Sequence, residues 1–247
     1  LKTNEYVVRI RGEEIARGEI MADHYLAMNA EESRIPVKGI ETVEPAFGLP
    51  AIWISKTERE KAELAGYTIV DPPSVLATHL SELLKRHASE LLDRQQVQTL
   101  VDNLRQSQPA LVDEVIPKLF TLGEVQKVLA GLLREGVSIR DMGTILETLS
   151  DYAGATRSTD MLIEYSRQRL KRTISKRFVG DGKARVITLD PQLEQLIIER
   201  LRQTEQGSFV ALSPDQIQRL LHNLRSALER MMSVGISPVV LTSPAVR

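Results

Sequence analysis

Tyr6, Val8 and Ile10 alternate with Val7, Arg9 and Arg11, a period of two that predicts a strand with one solvated face. Gly12 supplies a turn, and residues 15–20 return as the partner of a hairpin that ends before Asp23. Apolar runs at 51–54 and 67–70 predict further strands, separated by a short helix over 57–65 that Gly66 stops. The first 71 residues thus read as a small, strand-rich α+β unit.

The period changes at Asp71-Pro72-Pro73, where an acidic cap followed by proline opens a helix. Val75, Leu76, His79, Leu80, Leu83 and Leu84 then share one helical stripe. Helix continues almost to Gly180, punctuated by start signals at Asp93, at Thr121 with Glu124, and at Ser138 with Asp141. Pro109, Gly136 and Gly154 mark the breaks, so a bundle of four to six short helices is expected over about 92–178. Ile139, Met142, Ile145, Leu146 and Leu149 read as a core stripe within it. Gly180-Asp181-Gly182 reads as a turn, 185–189 as a strand, Asp190-Pro191 as the start of a helix to about Gln203, and Ser213 to Gln216 as a capping box for a helix to Ser233. A strand at 238–241 completes a strand, helix, helix, strand order.

Of the 247 residues, 42% are hydrophobic and 26% charged, which excludes a mainly disordered chain. The net charge of -1 argues against a dedicated nucleic-acid or membrane-surface protein. The charge is uneven, since residues 1–91 are net -4 and the remainder +3. Without cysteine there is no disulfide framework, thiolate metal site or cysteine nucleophile. The longest mostly apolar stretch, 45–54, is about half of what a spanning helix needs. Because the chain opens on Leu1 and stops just after a strand-like run, a piece of a longer polypeptide is expected.

Chemistry is sparse. His79 and His87 sit eight apart on one predicted helix with no third ligand placed by spacing, so no metal site and no cofactor are expected. No nucleophile elbow, phosphate loop or dinucleotide fingerprint occurs, and an enzyme is not expected. Arg167, Arg169, Lys171, Arg172, Lys176 and Arg177 form a basic stretch with no acid between Tyr165 and Gly180. It reads either as a solvated helix face or as a nucleic-acid or acidic-partner contact, and it lacks interleaved aromatics for base stacking. Five of only ten aromatics fall in the first 67 residues. Phe47, flanked by Pro45, Gly48 and Pro50, must sit on a constrained loop, either as a local core plug or as an exposed anchor for a partner. Trp53, in the following strand, is expected in the core.

The runs YVVRIRGEEIARGEIMADHYLAM (6–28), EPAFGLPAIWI (44–54), AGYTIVDPPSVLATHLSELLKRHASELLDRQQVQ (65–98), GLLREGVSIRDMGTILETL (131–149) and PVVLTSPAVR (238–247) closely resemble the flagellar FlhA family, the export-gate component of type III protein secretion. The resemblance implies the carboxyl-terminal cytoplasmic part of a multi-spanning inner-membrane protein, which forms a nine-membered ring in the family. It implies an α+β fold of several subdomains: a discontinuous first (1–22 and 72–91), an inserted second (23–71), a helical third (92–171) and a mixed, truncated fourth (172–247).

In the family, complexes of export chaperones with late flagellar substrates dock between the first two subdomains. The residues matching that site are Glu44, Phe47 and Thr78, with Pro45 and Gly48 shaping the groove. Glu44 stands where some relatives carry Asp, which keeps the charge and adds a methylene. The resemblance implies that Phe47 supplies apolar area, Glu44 orients the partner by charge and Thr78 hydrogen-bonds at the wall. Other export-apparatus proteins are the further partners implied, at the cytoplasmic face of the bacterial inner membrane. The alternatives are an injectisome homologue of the same family, a helical nucleic-acid-binding regulator using 167–177, and an enzyme with a small-molecule pocket.

Overall fold

The structure, a computed structural model, describes residues 3–28, 36–179, 183–204, 207–235 and 238–246. It divides into two compact units, Leu1–Ile139 and Arg140–Arg247.

In the first unit, β1 (Glu5–Ile10) and β2 (Glu13–Glu19) form the expected antiparallel hairpin. Its two faces are less distinct than the alternation predicts, because Val7 is half-buried like Tyr6 and Val8. The elements β3 (His24–Met28), β4 (Ile40–Val43), β5 (Pro50–Ser55), α1 (Arg59–Leu64) and β6 (Thr68–Val70) follow. These four strands make one antiparallel sheet in the order β4-β5-β3-β6.

Strand alternation divides the core of this sheet into two layers. Leu26, Ala51 and Trp53 point to one face, where Val75 joins them, and Ala27 and Ile54 point to the other, where Val37 and Ala62 pack. Trp53 is 1% exposed, the core position expected of it. The strand β3 is not predicted by the sequence pattern, and neither is β4. The latter lies at the sheet edge, and Ile40 and Val43 stay exposed, so the four residues lack the apolar alternation that marks a half-buried strand.

Asp71 caps α2 (Pro72–Arg86), accepting the Ser74 amide. Only part of the predicted stripe is buried: Val75, His79 and Leu83 face the core, whereas Leu80 and Leu84 are exposed. Then come α3 (Ala88–Leu91), α4 (Arg94–Ser107), α5 (Pro109–Val115) and α6 (Leu122–Arg134). Capping boxes open α4 (Asp93 with Gln96) and α6 (Thr121 with Glu124). Val97, Val101, Val112, Val115, Phe120 and Leu129 supply the buried side chains of these helices and their joints.

The second unit opens with α7 (Met142–Tyr152) and α8 (Thr159–Arg169), which pack together, followed by α9 (Lys171–Phe178). Met142, Ile145, Leu146 and Leu149 are buried as predicted. The helix start differs from the expectation: Ser138 lies three residues before the cap, and the cap itself is Asp141, which accepts the Thr144 amide at 3.1 Å. The predicted turn at Gly180-Asp181-Gly182 lies outside the described residues.

The strand expected at 185–189 is only β7 (Ile187–Thr188). The next helix, α10 (Pro191–Arg200), ends three residues earlier than predicted, and the chain enters an antiparallel hairpin of β8 (Leu201–Thr204) and β9 (Gly207–Val210). Leu201, Arg202 and Gln203 are good helix formers, so local propensity extends the helix while pairing with 207–210 overrides it. A capping box at Ser213 and Gln216 opens α11 (Pro214–Met232), and β10 (Val240–Leu241) pairs in parallel with β7. The order in this unit is therefore strand, helix, hairpin, helix, strand. With helical and strand elements segregated into several small sheets and a bundle, the fold is α+β.

Candidate functional site

Phe47 sits at the tip of the turn that joins β4 to β5, where Val43 pairs with Pro50. The turn is built by its own first residue. Glu44 is 3% exposed, and its two carboxylate oxygens accept the amides of Ala46 (2.9 Å) and Phe47 (2.7 Å). The Glu44 amide donates to the Leu49 carbonyl and the Gly48 amide to the Glu44 carbonyl. Gly48 takes φ +72°, a left-handed conformation that side-chain-bearing residues rarely adopt. Ala46 is buried beneath the turn, and the Phe47 ring is left 59% exposed beside exposed Val43 and Leu49. Of the two fates that the sequence leaves open for Phe47, the core plug is excluded.

The resemblance gives Glu44 the part of orienting a partner by its charge, and the structure shows what that carboxylate bonds. A carboxylate that is buried and already shared by two backbone amides shapes the turn; it is not an exposed charge held out to a partner. Thr78 lies on the exposed surface of α2. The tie between the turn and that helix runs through Arg86, whose Nη2 donates to the Ala46 carbonyl at 2.8 Å. Arg86 is eight residues past Thr78, hence about 12 Å further along the helix and about 80° around it.

A polar pair lies within the electrostatic reach of Glu44. The Tyr6 hydroxyl meets His79 Nδ1 at 2.5 Å, with the two rings edge to face at a centroid distance of 5.7 Å. A Cβ on Gly18 would collide with the Tyr6 ring, so glycine at that position of β2 lets the phenol lie across the hairpin. Burial raises the Tyr6 pKa, and the negative charge of Glu44 adds to the rise. Burial lowers the His79 pKa; Glu44 pulls it back up and Arg86 pushes it further down. Both rings are therefore neutral near pH 7, and we assign the phenol as donor to an unprotonated Nδ1. Tyr6, His79 and Arg86 were not among the residues picked from sequence. The helical stripe predicted for α2 includes His79 without giving it a role, and the ring is 4% exposed.

The basic stretch is partly neutralised by acids outside its own span. Arg169 Nη2 meets Asp151 Oδ2 at 2.5 Å, Arg167 lies 3.8 Å from Glu164, and Arg177 stacks over Phe178. Lys171, Arg172 and Lys176 are exposed. In the second unit, α10 and α11 border an open cavity of about 380 Å³ lined mostly by apolar side chains, among them Leu193, Leu196, Leu220 and Leu224. Among the described residues no cluster of three or more His, Cys, Asp or Glu could hold a metal ion, and no helix is long and apolar enough to cross a membrane.

Comparison with known proteins gives these features a family. The chain is 43% identical over 248 aligned residues to the flagellar biosynthesis protein FlhA of Bacillus subtilis, spanning all of this chain and 37% of that protein. It is thus similar to about a third of the length of that relative. The solved structure of the Chlamydia pneumoniae CdsV protein superposes with a TM-score of 0.81 at 32% identity, covering 100% of this chain and 70% of that one. The same protein in its complex with CdsO gives 0.81 at 30%, covering 99% and 70%. A nonameric cryo-EM structure of EPEC SctV-C shares the fold, with a TM-score of 0.74 at 22% identity over 99% of this chain and 80% of that one. Residues 1–247 match the FHIPEP family throughout, and the chain belongs to that family.

Proposed function

We propose that the chain is a cytoplasmic docking platform of the flagellar type III protein export gate, binding export chaperones that carry late substrates and passing those substrates toward the channel. The observation that carries this reading is Phe47, a large apolar ring held out of the core on a turn whose Ala46, Phe47 and Gly48 amides are all satisfied by Glu44. Such a ring offers apolar area without the entropy cost of ordering a floppy loop. Glu44 and Thr78 complete the site, the first by building the turn and the second from the exposed surface of α2. Pro45 and Gly48 shape its walls. A transport gate must release its cargo, so micromolar affinity, about -8 kcal/mol, fits better than a permanent complex.

The 43% identity to the Bacillus FlhA exceeds the 32% to CdsV, which favours the flagellar branch over an injectisome homologue. A nine-membered ring of such chains is supported by the nonameric state of SctV-C, and export-apparatus partners by the complex of CdsV with CdsO. The reading puts the chain at the cytoplasmic face of the bacterial inner membrane, and it keeps the division into four subdomains as part of the proposal. The pairing of Arg167 and Arg169 with nearby acids speaks against the nucleic-acid alternative.

The test is a titration of the chain and its Phe47→Ala variant with a purified chaperone and substrate complex. The expected loss is about 2 to 4 kcal/mol of binding, with thermal unfolding unchanged. Equal affinity of the two proteins would sink the assignment.

A further inference from the structure

The geometry points to Arg86 as a positioning residue for the Phe47 turn, acting through the Ala46 carbonyl and not by touching a partner. This inference rests on the docking reading, whose surface it explains.

The turn has two kinds of support. Glu44 fixes it from within, through the Ala46 and Phe47 amides, and these bonds span only two and three residues. Such a local arrangement, together with the pairing of Val43 with Pro50 at its base, sets the shape of the turn but does not tie it to α2. The bond from Arg86 to the Ala46 carbonyl spans forty residues and ties the turn to the last turn of α2. It falls on the carbonyl of buried Ala46, in the peptide unit that leads into Phe47.

The remaining polar neighbours agree with this assignment. His79, about two turns further back on nearly the same side of α2, is neutral and engaged with Tyr6, and the Arg86 charge helps to keep it so. Glu44 and Arg86 therefore act on the turn from opposite ends of the same charge arrangement, one on its amides and one on its carbonyl. Arg86 itself is an exposed side chain, so its removal costs little core packing.

The inference separates position from contact in a measurable way. In the 247-residue chain, Arg86→Met is expected to speed amide exchange of Phe47 and Gly48 by about tenfold or more, with an unchanged thermal midpoint. Binding of a purified chaperone and substrate complex should weaken by about the same factor, and Arg86→Lys should restore part of it, since an ammonium can donate to the same carbonyl. In a cycle with Phe47→Ala, Arg86→Met should cost nothing further, because it acts through the ring already removed. Full additivity of the two variants would make Arg86 an independent contact and overturn the inference. So would unchanged exchange at Phe47 and Gly48. If Phe47→Ala binds as tightly as the unaltered chain, the docking reading fails, and the exchange measurement still decides whether Arg86 holds the turn.

Discussion

At the residue scale, the turn before β5 owes its shape to one carboxylate with no solvent of its own. Glu44 gives both oxygens to backbone amides, and Gly48 supplies the left-handed step that closes the turn. The motif around Phe47 made a constrained loop legible from two prolines and a glycine. It did not reveal which way the ring pointed, because that is set by tertiary contacts such as the bond from Arg86 to Ala46, forty positions away. Nor did it reveal the role of Glu44, since an acid on a loop reads as a surface charge until its partners are known.

His79 gives this cluster a pH signature. Its pKa is lowered from the ordinary 6.5, chiefly by burial, with Glu44 opposing and Arg86 reinforcing the shift, and Tyr6 as its hydrogen-bond partner. As pH falls through the unfolded value of 6.5, the unfolded chain takes up a proton that the folded chain refuses, so stability declines. The contribution is complete above 6.5 and shrinks as pH falls toward the depressed folded value. Thermal midpoints measured between about pH 7 and 5.5 should drop more steeply for the unaltered chain than for His79→Gln, and parallel profiles would refute this.

At the scale of elements, the starts of helices were the most readable features, because a cap and its answering side chain lie three residues apart in sequence and in space. Asp93 with Gln96, Thr121 with Glu124 and Ser213 with Gln216 all close reciprocal boxes. Asp93→Ala should therefore cost about 1 kcal/mol in urea unfolding, and a shift near zero would mean that the α4 start is held by packing instead. Features set by distant pairing were hidden. The hairpin of β8 and β9 replaced the end of a predicted helix, and β4 was invisible because neither of its faces is fully covered. The α2 stripe was seen too broadly, since leucines at helical spacing identify an amphipathic face without saying how much of it the sheet covers.

At the scale of the whole molecule, every residue of the proposed docking site falls within the unit Leu1–Ile139, which carries its own two-layered sheet core and a helical core. A fragment of residues 1–139 should unfold cooperatively and bind the chaperone and substrate complex with an affinity within about threefold of the whole chain. A fragment that folds but no longer binds would show that docking needs residues beyond 139. The same unit holds a timing built into the order of its residues. The hairpin bearing Phe47 is complete once β5 has been synthesised, while Arg86, its tie to α2, follows Ala46 by forty residues. At translation rates of about 5 to 20 residues per second, Phe47 emerges from the ribosome about 2 to 8 seconds before the side chain that aims it. The nascent chain thus exposes the ring first and fixes its direction only afterwards, so the surface that receives cargo is finished after the strands that bear it.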